Sequence, residues 1–113
     1  MEEINCFPLS GRGSQIHATI RKGGFCDVEW GDADFKFPYA LIEGILQDVF
    51  STPDWVLLGS YRNDPKGLGK YIQNQSICSL HSPQFASAIA PIMVKMDLIV
   101  SRKRKNSIEL KKK

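Results

Sequence analysis

The residues best suited to binding chemistry are cations crowded into the end of the chain. Residues 98–113 contain seven Lys and Arg residues and a single carboxylate, Glu109, which gives this segment a net charge of +6. Residues 1–97 hold eight Lys and Arg and eleven Asp and Glu, a net charge of −3. Ammonium and guanidinium groups bind phosphate oxygens and release the counterions of a nucleic acid. The pattern therefore predicts a polyanion-binding end on a mildly acidic body.

Four of these cations form an uninterrupted run between strand-like segments. The alternative to a polyanion-binding site is a solvated tail that keeps the protein soluble. This interpretation fits the three terminal lysines. It fits the run less well, because apolar and polar residues alternate on both sides of it. The flanking apolar residues are Leu98, Val100, Ile108 and Leu110. We predict a β-hairpin with a basic turn at Arg102–Ser107. The predicted nucleic-acid contacts of this segment are Arg102, Lys103, Arg104, Lys105, Lys111 and Lys112.

A second set of charged residues resembles the acidic-x-Lys element of metal-dependent nucleases. The set is Asp34-Phe35-Lys36, with Asp27 and Glu29 upstream. In such enzymes two carboxylates hold Mg²⁺ and the lysine helps to position the attacking water. The usual Pro-Asp partner is absent, and strict alternation explains these charges as the wet face of a sheet. We therefore predict no enzymatic activity, and a small metal-dependent nuclease is the second alternative.

No other residues predict a metal or cofactor site. Cys78 and His81 have metal-ligand spacing, but a zinc site needs four ligands and the remaining Cys and His residues are scattered. The segment Gly67-Leu68-Gly69-Lys70 lacks the first glycine and the final Ser or Thr of a phosphate-binding loop, so its glycines are predicted to make a turn. No pattern identifies a small-molecule substrate.

The secondary structure predicted before the basic segment begins with three strands. Apolar and polar residues alternate over residues 16–20, 26–30 and 35–37, and glycine-containing turns separate these segments. The pattern predicts a three-stranded antiparallel β-meander in residues 1–37, with one apolar and one charged face. The large aromatic residues are predicted to pack in the core by the usual burial preference of their type. They are Trp30, Phe35, Phe37 and Trp55.

Three helices are predicted after the meander. Pro38 suits a helix start, and apolar residues repeat at three- and four-residue spacing as far as Phe50. A short strand at 55–58 and a short helix at 68–75 follow. A third helix is predicted for 82–97, where Ser82 and Pro83 are typical of a helix start and the later apolar residues share one face.

This order of helix, short strand, helix, helix and basic hairpin resembles the winged-helix family of DNA-binding domains over residues 38–113. The resemblance implies an α+β fold in which the helix 82–97 lies in the major groove of duplex DNA and the hairpin, or wing, contacts phosphates or the minor groove. The outward residues of that helix would be Gln84, Ser87, Ala88 and Lys95. The implied function is DNA binding, with regulation of transcription as its commonest use. A protein-assembly module on the same scaffold is the first alternative.

Length and composition fit one globular domain of 113 residues, which is 42% hydrophobic and 24% charged. No apolar run reaches the 18 residues of a membrane span, and the start of the chain is acidic where a secretion signal is basic. Three cysteines, an odd number, favour reduced thiols over a disulfide framework. We therefore expect a cytoplasmic protein without a membrane partner. A homodimer would supply two copies of the DNA-binding helix.

Overall fold

A computed structural model describes residues 1–61, 63–75 and 82–113. These residues form an α+β structure with a four-stranded antiparallel sheet, a three-stranded antiparallel sheet and three α-helices. The strands are β1 (Glu2–Cys6), β2 (Ile16–Ile20), β3 (Phe25–Trp30), β4 (Ala33–Pro38), β5 (Val56–Leu57), β6 (Ile99–Arg104) and β7 (Ser107–Lys112). The helices are α1 (Tyr39–Asp48), α2 (Gly67–Gln73) and α3 (Ala86–Lys95), and a 3₁₀ turn at Pro83–Phe85 precedes α3.

The N-terminal sheet, with strand order β1-β2-β3-β4, contains the predicted meander and one additional strand. The alternation of apolar and polar residues in the sequence correctly predicts β2, β3 and β4. Strand β1 was missed because Ile4 is its only deeply buried residue, so its sequence shows no alternating apolar pattern. It pairs with β2 from Glu2 opposite Ile20 to Cys6 opposite Ile16. The prediction of three strands is therefore wrong by one edge strand.

The inner face of this sheet supplies much of the hydrophobic core. Six side chains of β2, β3 and β4 are at most 2% exposed: Ile16, Ala18, Ile20, Cys26, Val28 and Phe37. The chain then enters α1 directly after Pro38, which has no N–H that an intrahelical bond would need. Leu41, Ile42 and Ile45 of α1 are buried against the same core, as their spacing predicts.

A close contact between glycines joins α2 to the segment after β5. Gly69 donates its backbone N–H to the carbonyl of Leu58 at 2.9 Å, and Lys66 donates to Gly59 at 3.2 Å. A Cβ atom on Gly69 would lie 2.0 Å from the carbonyl oxygen of Gly59, and one on Gly59 would lie 1.7 Å from that of Lys66. These glycines therefore permit close backbone contact, and Gly67 and Gly69 lie in α2, whereas the sequence predicts that they make a turn.

The helices α1 and α2 are linked through a tyrosine. Tyr71 donates its hydroxyl to Oδ2 of Asp48 at 2.7 Å. Burial and this hydrogen bond to the carboxylate raise the pKa of Tyr71 to about 12, so the hydroxyl remains a donor near neutral pH. Among the described residues the longest helices, α1 and α3, have ten residues each, and no helix is long and apolar enough to cross a membrane.

Helix α3 is largely buried. Ser82 accepts the N–H of Gln84 at 3.3 Å, as predicted for a capping residue, but the first turn is 3₁₀ and the α-helix begins at Ala86. Seven of the ten residues of α3 are buried, including Pro91, because the helix packs against β1, α2 and β6. The prediction that Ala88 points outward is wrong, since this side chain is 0% exposed.

The end of α3 sets the register of the hairpin. Asp97 has a left-handed backbone (φ 68°), its N–H bonds to the carbonyl of Val94 at 3.0 Å, and Leu98 bonds back to Met93 at 3.1 Å. This pair of bonds is a Schellman motif, which terminates a helix and reverses the chain. Ile99, which follows Leu98, is the first residue of β6, and its side chain is buried.

The C-terminal sheet has the strand order β5-β7-β6 and contains the predicted hairpin. Ile99 and Leu110 are buried, whereas Val100 is 36% exposed. The prediction that Leu98, Val100, Ile108 and Leu110 point to one side is therefore wrong for Val100, since the Schellman motif shifts the alternation in β6 and a one-residue shift exchanges the two faces. The turn is also shorter than predicted. Arg104 pairs with Ser107, so only Lys105 and Asn106 lie between the strands.

Candidate nucleic-acid interface

The hairpin distributes its cations over both faces of the C-terminal sheet. Cross-strand partners point to the same side, and successive side chains alternate. The inner face is the one that contains Ile99 and Leu110. The register places Arg102, Arg104 and Lys111 on the outer face, away from the core, and Lys103 and Lys112 on the inner side. Lys105 lies in the turn. The predicted basic tip is therefore mostly strand, and its charges do not form a single cluster.

Trp55 anchors two cations on the outer face. The guanidinium carbon of Arg102 lies 4.0 Å from the centroid of the Trp55 ring, and Nζ of Lys111 lies 5.6 Å from it. Arg102 also donates its Nε–H to Oε1 of Glu109 at 2.7 Å. A guanidinium held by both a ring face and a carboxylate has lost much of its rotational freedom before any ligand binds. The Arg102 side chain nevertheless remains 38% exposed.

The position of Trp55 differs from the prediction that the large aromatics pack in the core. Phe37 is fully buried, and Trp30 and Phe35 pack against the core, as expected. Trp55 instead lies half-buried beneath Arg102 and Lys111. The run Trp55-Val56-Leu57-Leu58 is apolar throughout and shows no alternation, so the sequence carried no signal of which side each residue takes.

The remaining hairpin cations divide into tethered and available groups. Lys103 donates Nζ to the carbonyl of Ser10 at 3.0 Å, and Lys113 pairs with Asp97. Three others are exposed, and their side chains make no hydrogen bond, ion pair or ring contact within the described ranges: Arg104, Lys105 and Lys112. A phosphate can approach these three without displacing an existing partner.

The three candidates near α3 lie apart from one another. Gln84 is exposed in the 3₁₀ turn, Ser87 is half-buried near the start of α3, and Lys95 is exposed in its last turn. Lys95 lies close enough to β1 to affect Cys6, whose thiol has a pKa raised by burial and lowered in part by the Lys95 charge. Gln84 and Lys95 are separated by roughly 16 Å of helix rise.

The nuclease-like residues lie on the open face of the N-terminal sheet. Asp27 is opposite Lys36, and Asp34 is opposite Glu29. Arg21 forms an ion pair with Asp27. In the part of the chain that the structure describes, no group of His, Cys, Asp and Glu is arranged to hold a metal ion. The predicted wet sheet face is thus observed. Cys78 and His81 lie outside the described residues.

A pocket beside the hairpin turn was not predicted from the sequence. It has a volume of about 400 Å³ and lies between the loop after β1, the segment after β5, α3 and the hairpin turn. Its lining includes the apolar residues Leu57, Leu58 and Ile108 and the polar residues Ser10, Ser87 and Asn106. Four separate chain segments form this pocket, so no local pattern could have indicated it.

No family model, curated protein or solved structure matches this chain. The function therefore has to be inferred from the geometry of the chain itself.

Proposed function

We propose that the chain binds nucleic acid, with duplex DNA as the preferred form, through phosphate contacts made by the C-terminal hairpin. The observation that carries this proposal is the set of exposed cations without a described partner, Arg104, Lys105 and Lys112, on the same hairpin as a guanidinium that Trp55 and Glu109 hold in place. Such a surface can exchange counterions for phosphates at little conformational cost.

The winged-helix arrangement is part of the proposal. Its support is the order α1, β5, α2, α3, β6, β7, which matches the order of elements that resembles that family. The hairpin takes the role of the wing. The burial of α3 limits how the scaffold is used, because a helix with seven of ten residues covered offers little surface to a major groove. We therefore propose phosphate binding with weak sequence preference.

Salt-dependent binding tests the proposal. Two charge-matched double variants are compared on one labelled duplex: Arg104→Ala with Lys112→Ala on the hairpin, and Lys22→Ala with Lys70→Ala on the body. All four residues are exposed. Each phosphate contact contributes about 0.9 to the slope of log K against log salt, so the hairpin variant is expected to lose up to about 1.8. The body variant keeps the wild-type slope.

Two results would contradict the proposal. One is the absence of duplex binding by the wild type at low salt. The other is an equal loss of slope in both double variants, because the binding would then follow net charge and not the hairpin. Comparison of several duplex sequences measures the predicted weak preference.

A protein-assembly function is the second candidate, and one observation favours it. Phe7 and Phe25 are 62% and 52% exposed, which is unusual for large aromatic side chains and is common at association surfaces. Mass measurement in solution at rising protein concentration tests this alternative. A stable homodimer that persists when Phe25→Ala is introduced would show that this side chain is not part of its interface.

A further inference from the structure

The pocket beside the hairpin turn has both apolar and polar lining residues, as a site for a heteroaromatic ligand requires. Its lining includes apolar residues and residues that carry hydroxyl and amide groups. Ligand sites are usually concave, mostly apolar and equipped with a few polar groups that fix orientation, and this volume of about 400 Å³ is at the small end of their range. A flat ring with hydrogen-bonding edges fits such a space. An acyl chain would leave the hydroxyl and amide groups without partners.

The lining of the pocket includes an exposed aromatic residue. Tyr61 lines the pocket and is 67% exposed. Unstacked nucleobases are commonly bound on the ring of an exposed aromatic side chain, because every base has a π-face. Asp64 also lines the pocket, and Lys66 neutralises it at 3.5 Å, so the carboxylate does not leave the pocket negatively charged.

A fixed ammonium group lies beside the same pocket. Lys103 holds its Nζ 3.0 Å from the carbonyl oxygen of Ser10, which lines the pocket. This interaction occupies one of the three N–H donors of the lysine, and the other two remain able to bind an anion. An anionic group attached to a ring inside the pocket would therefore meet a cation that the protein has already positioned.

From this geometry we infer that the pocket binds a nucleoside phosphate, with the base inside, its face on Tyr61 and its phosphate near Lys103. The source is either a free mononucleotide or an unpaired nucleotide of a strand whose phosphates the hairpin holds. The second source depends on the proposed function, whereas the first does not. In both cases the pocket recognises the base and the hairpin recognises the backbone.

Calorimetric titration of the protein with six ligands tests the inference. Four are mononucleotides: adenosine, guanosine, cytidine and uridine monophosphate. The other two are a duplex with a single-stranded overhang and a blunt duplex. Tyr61→Ala is expected to weaken nucleotide or overhang binding about tenfold, the typical loss of one stacking contact. Ser87→Leu, which fills the pocket from α3, is expected to abolish it. Phe25→Ala removes an aromatic ring with 52% exposure from the other sheet and is expected to change nothing.

The outcomes separate the pocket from the hairpin. Binding of mononucleotides that is lost in Tyr61→Ala supports a free ligand, and an overhang preference lost in the same variant supports the strand source. Blunt-duplex binding without either effect overturns the pocket inference and leaves the proposed function intact. Mononucleotide binding without duplex binding overturns the proposed function and leaves the pocket inference intact. Should Ser87→Leu fail to fold, Tyr61→Ala decides alone, since its exposed ring contributes little to stability.

Discussion

The two sheets share an antiparallel architecture but use their side chains differently. The N-terminal sheet buries six side chains of β2, β3 and β4 to 2% exposure or less, and its open face carries several carboxylates, including Glu29 directly opposite Asp34. The C-terminal sheet buries only Ile99 and Leu110 to that degree, and its outer face carries cations around Trp55. The first sheet therefore stabilises the fold, whereas the second presents charge.

This difference implies a division of mutational effects. A side chain that fills the core cannot be truncated without loss of buried apolar contacts, whereas an outer-face cation is stabilised by only a few weak contacts. We expect substitutions in the N-terminal sheet to change stability and substitutions on the outer face of the C-terminal sheet to change binding. Three sets of variants test that comparison, in order of decreasing effect.

The largest effect is expected for Phe37→Ala in β4. This side chain is fully buried, and a Phe→Ala change at such a site typically lowers the free energy of unfolding by about 3–5 kcal/mol. Phe25→Ala is the control in the neighbouring strand. Phe25 is 52% exposed, and Nζ of Lys36 lies 5.5 Å from the centroid of its ring, so a loss below about 1 kcal/mol is expected. Urea unfolding followed by circular dichroism measures both, and equal losses would refute the assigned role of the inner face.

A smaller effect is expected for Trp55→Ala on the outer face. The change removes the ring beneath Arg102 and Lys111, and cation–π contacts at exposed sites contribute about 0.5–1 kcal/mol each. Stability should fall by about 1–2 kcal/mol, and duplex affinity should fall as well, because Arg102 loses one of its two supports.

Double-variant cycles apportion this effect. Trp55→Ala is combined with Arg102→Ala in one cycle and with Lys111→Ala in the other, and unfolding is measured in urea. The coupling to Arg102 at 4.0 Å should exceed the coupling to Lys111 at 5.6 Å. No coupling in either cycle would mean that the ring does not position the cations.

Local sequence patterns predicted the elements better than their faces and contacts. Alternation identified β2 to β4, and three- to four-residue spacing identified α1 and α2, since each pattern reflects burial on one side of a regular element. The short edge strand β1 has too few buried residues for such a pattern. The one-residue shift of β6 follows from the left-handed backbone at Asp97, a position that glycine usually occupies.

The candidate site was predictable only in its charge. The cation run indicated phosphate binding, but its partition between two faces depends on the register of β6 with β7. The burial of α3 depends on packing by β1, which lies more than 80 residues earlier in the chain. Trp55 and the pocket likewise combine distant segments. Such contacts arise from tertiary packing, and local periodicity contains no information about them.

The smallest expected effect lies in the hairpin turn, where the two sheets differ again. The N-terminal sheet uses glycine at left-handed positions of its turns, Gly23 (φ 80°) and Gly31 (φ 60°), whereas the C-terminal sheet uses Lys105 (φ 57°). A left-handed backbone costs a residue with a side chain roughly 1–2 kcal/mol, and glycine avoids this cost. We infer that the strain is retained because the turn needs a cation.

Lys105→Gly separates the two contributions. Because the strain is relieved, the free energy of unfolding should rise by about 0.5–1 kcal/mol, while the salt slope of duplex binding should fall by about 0.9. Lys105→Ala loses the same charge without the gain in stability. The reciprocal Gly23→Lys, at a position where a Cβ would meet nothing within 4 Å, should lower stability and leave binding unchanged. If Lys105→Gly instead weakens the fold and keeps the full slope, the turn lysine has a structural role and the contrast between the two sheets does not extend to their turns.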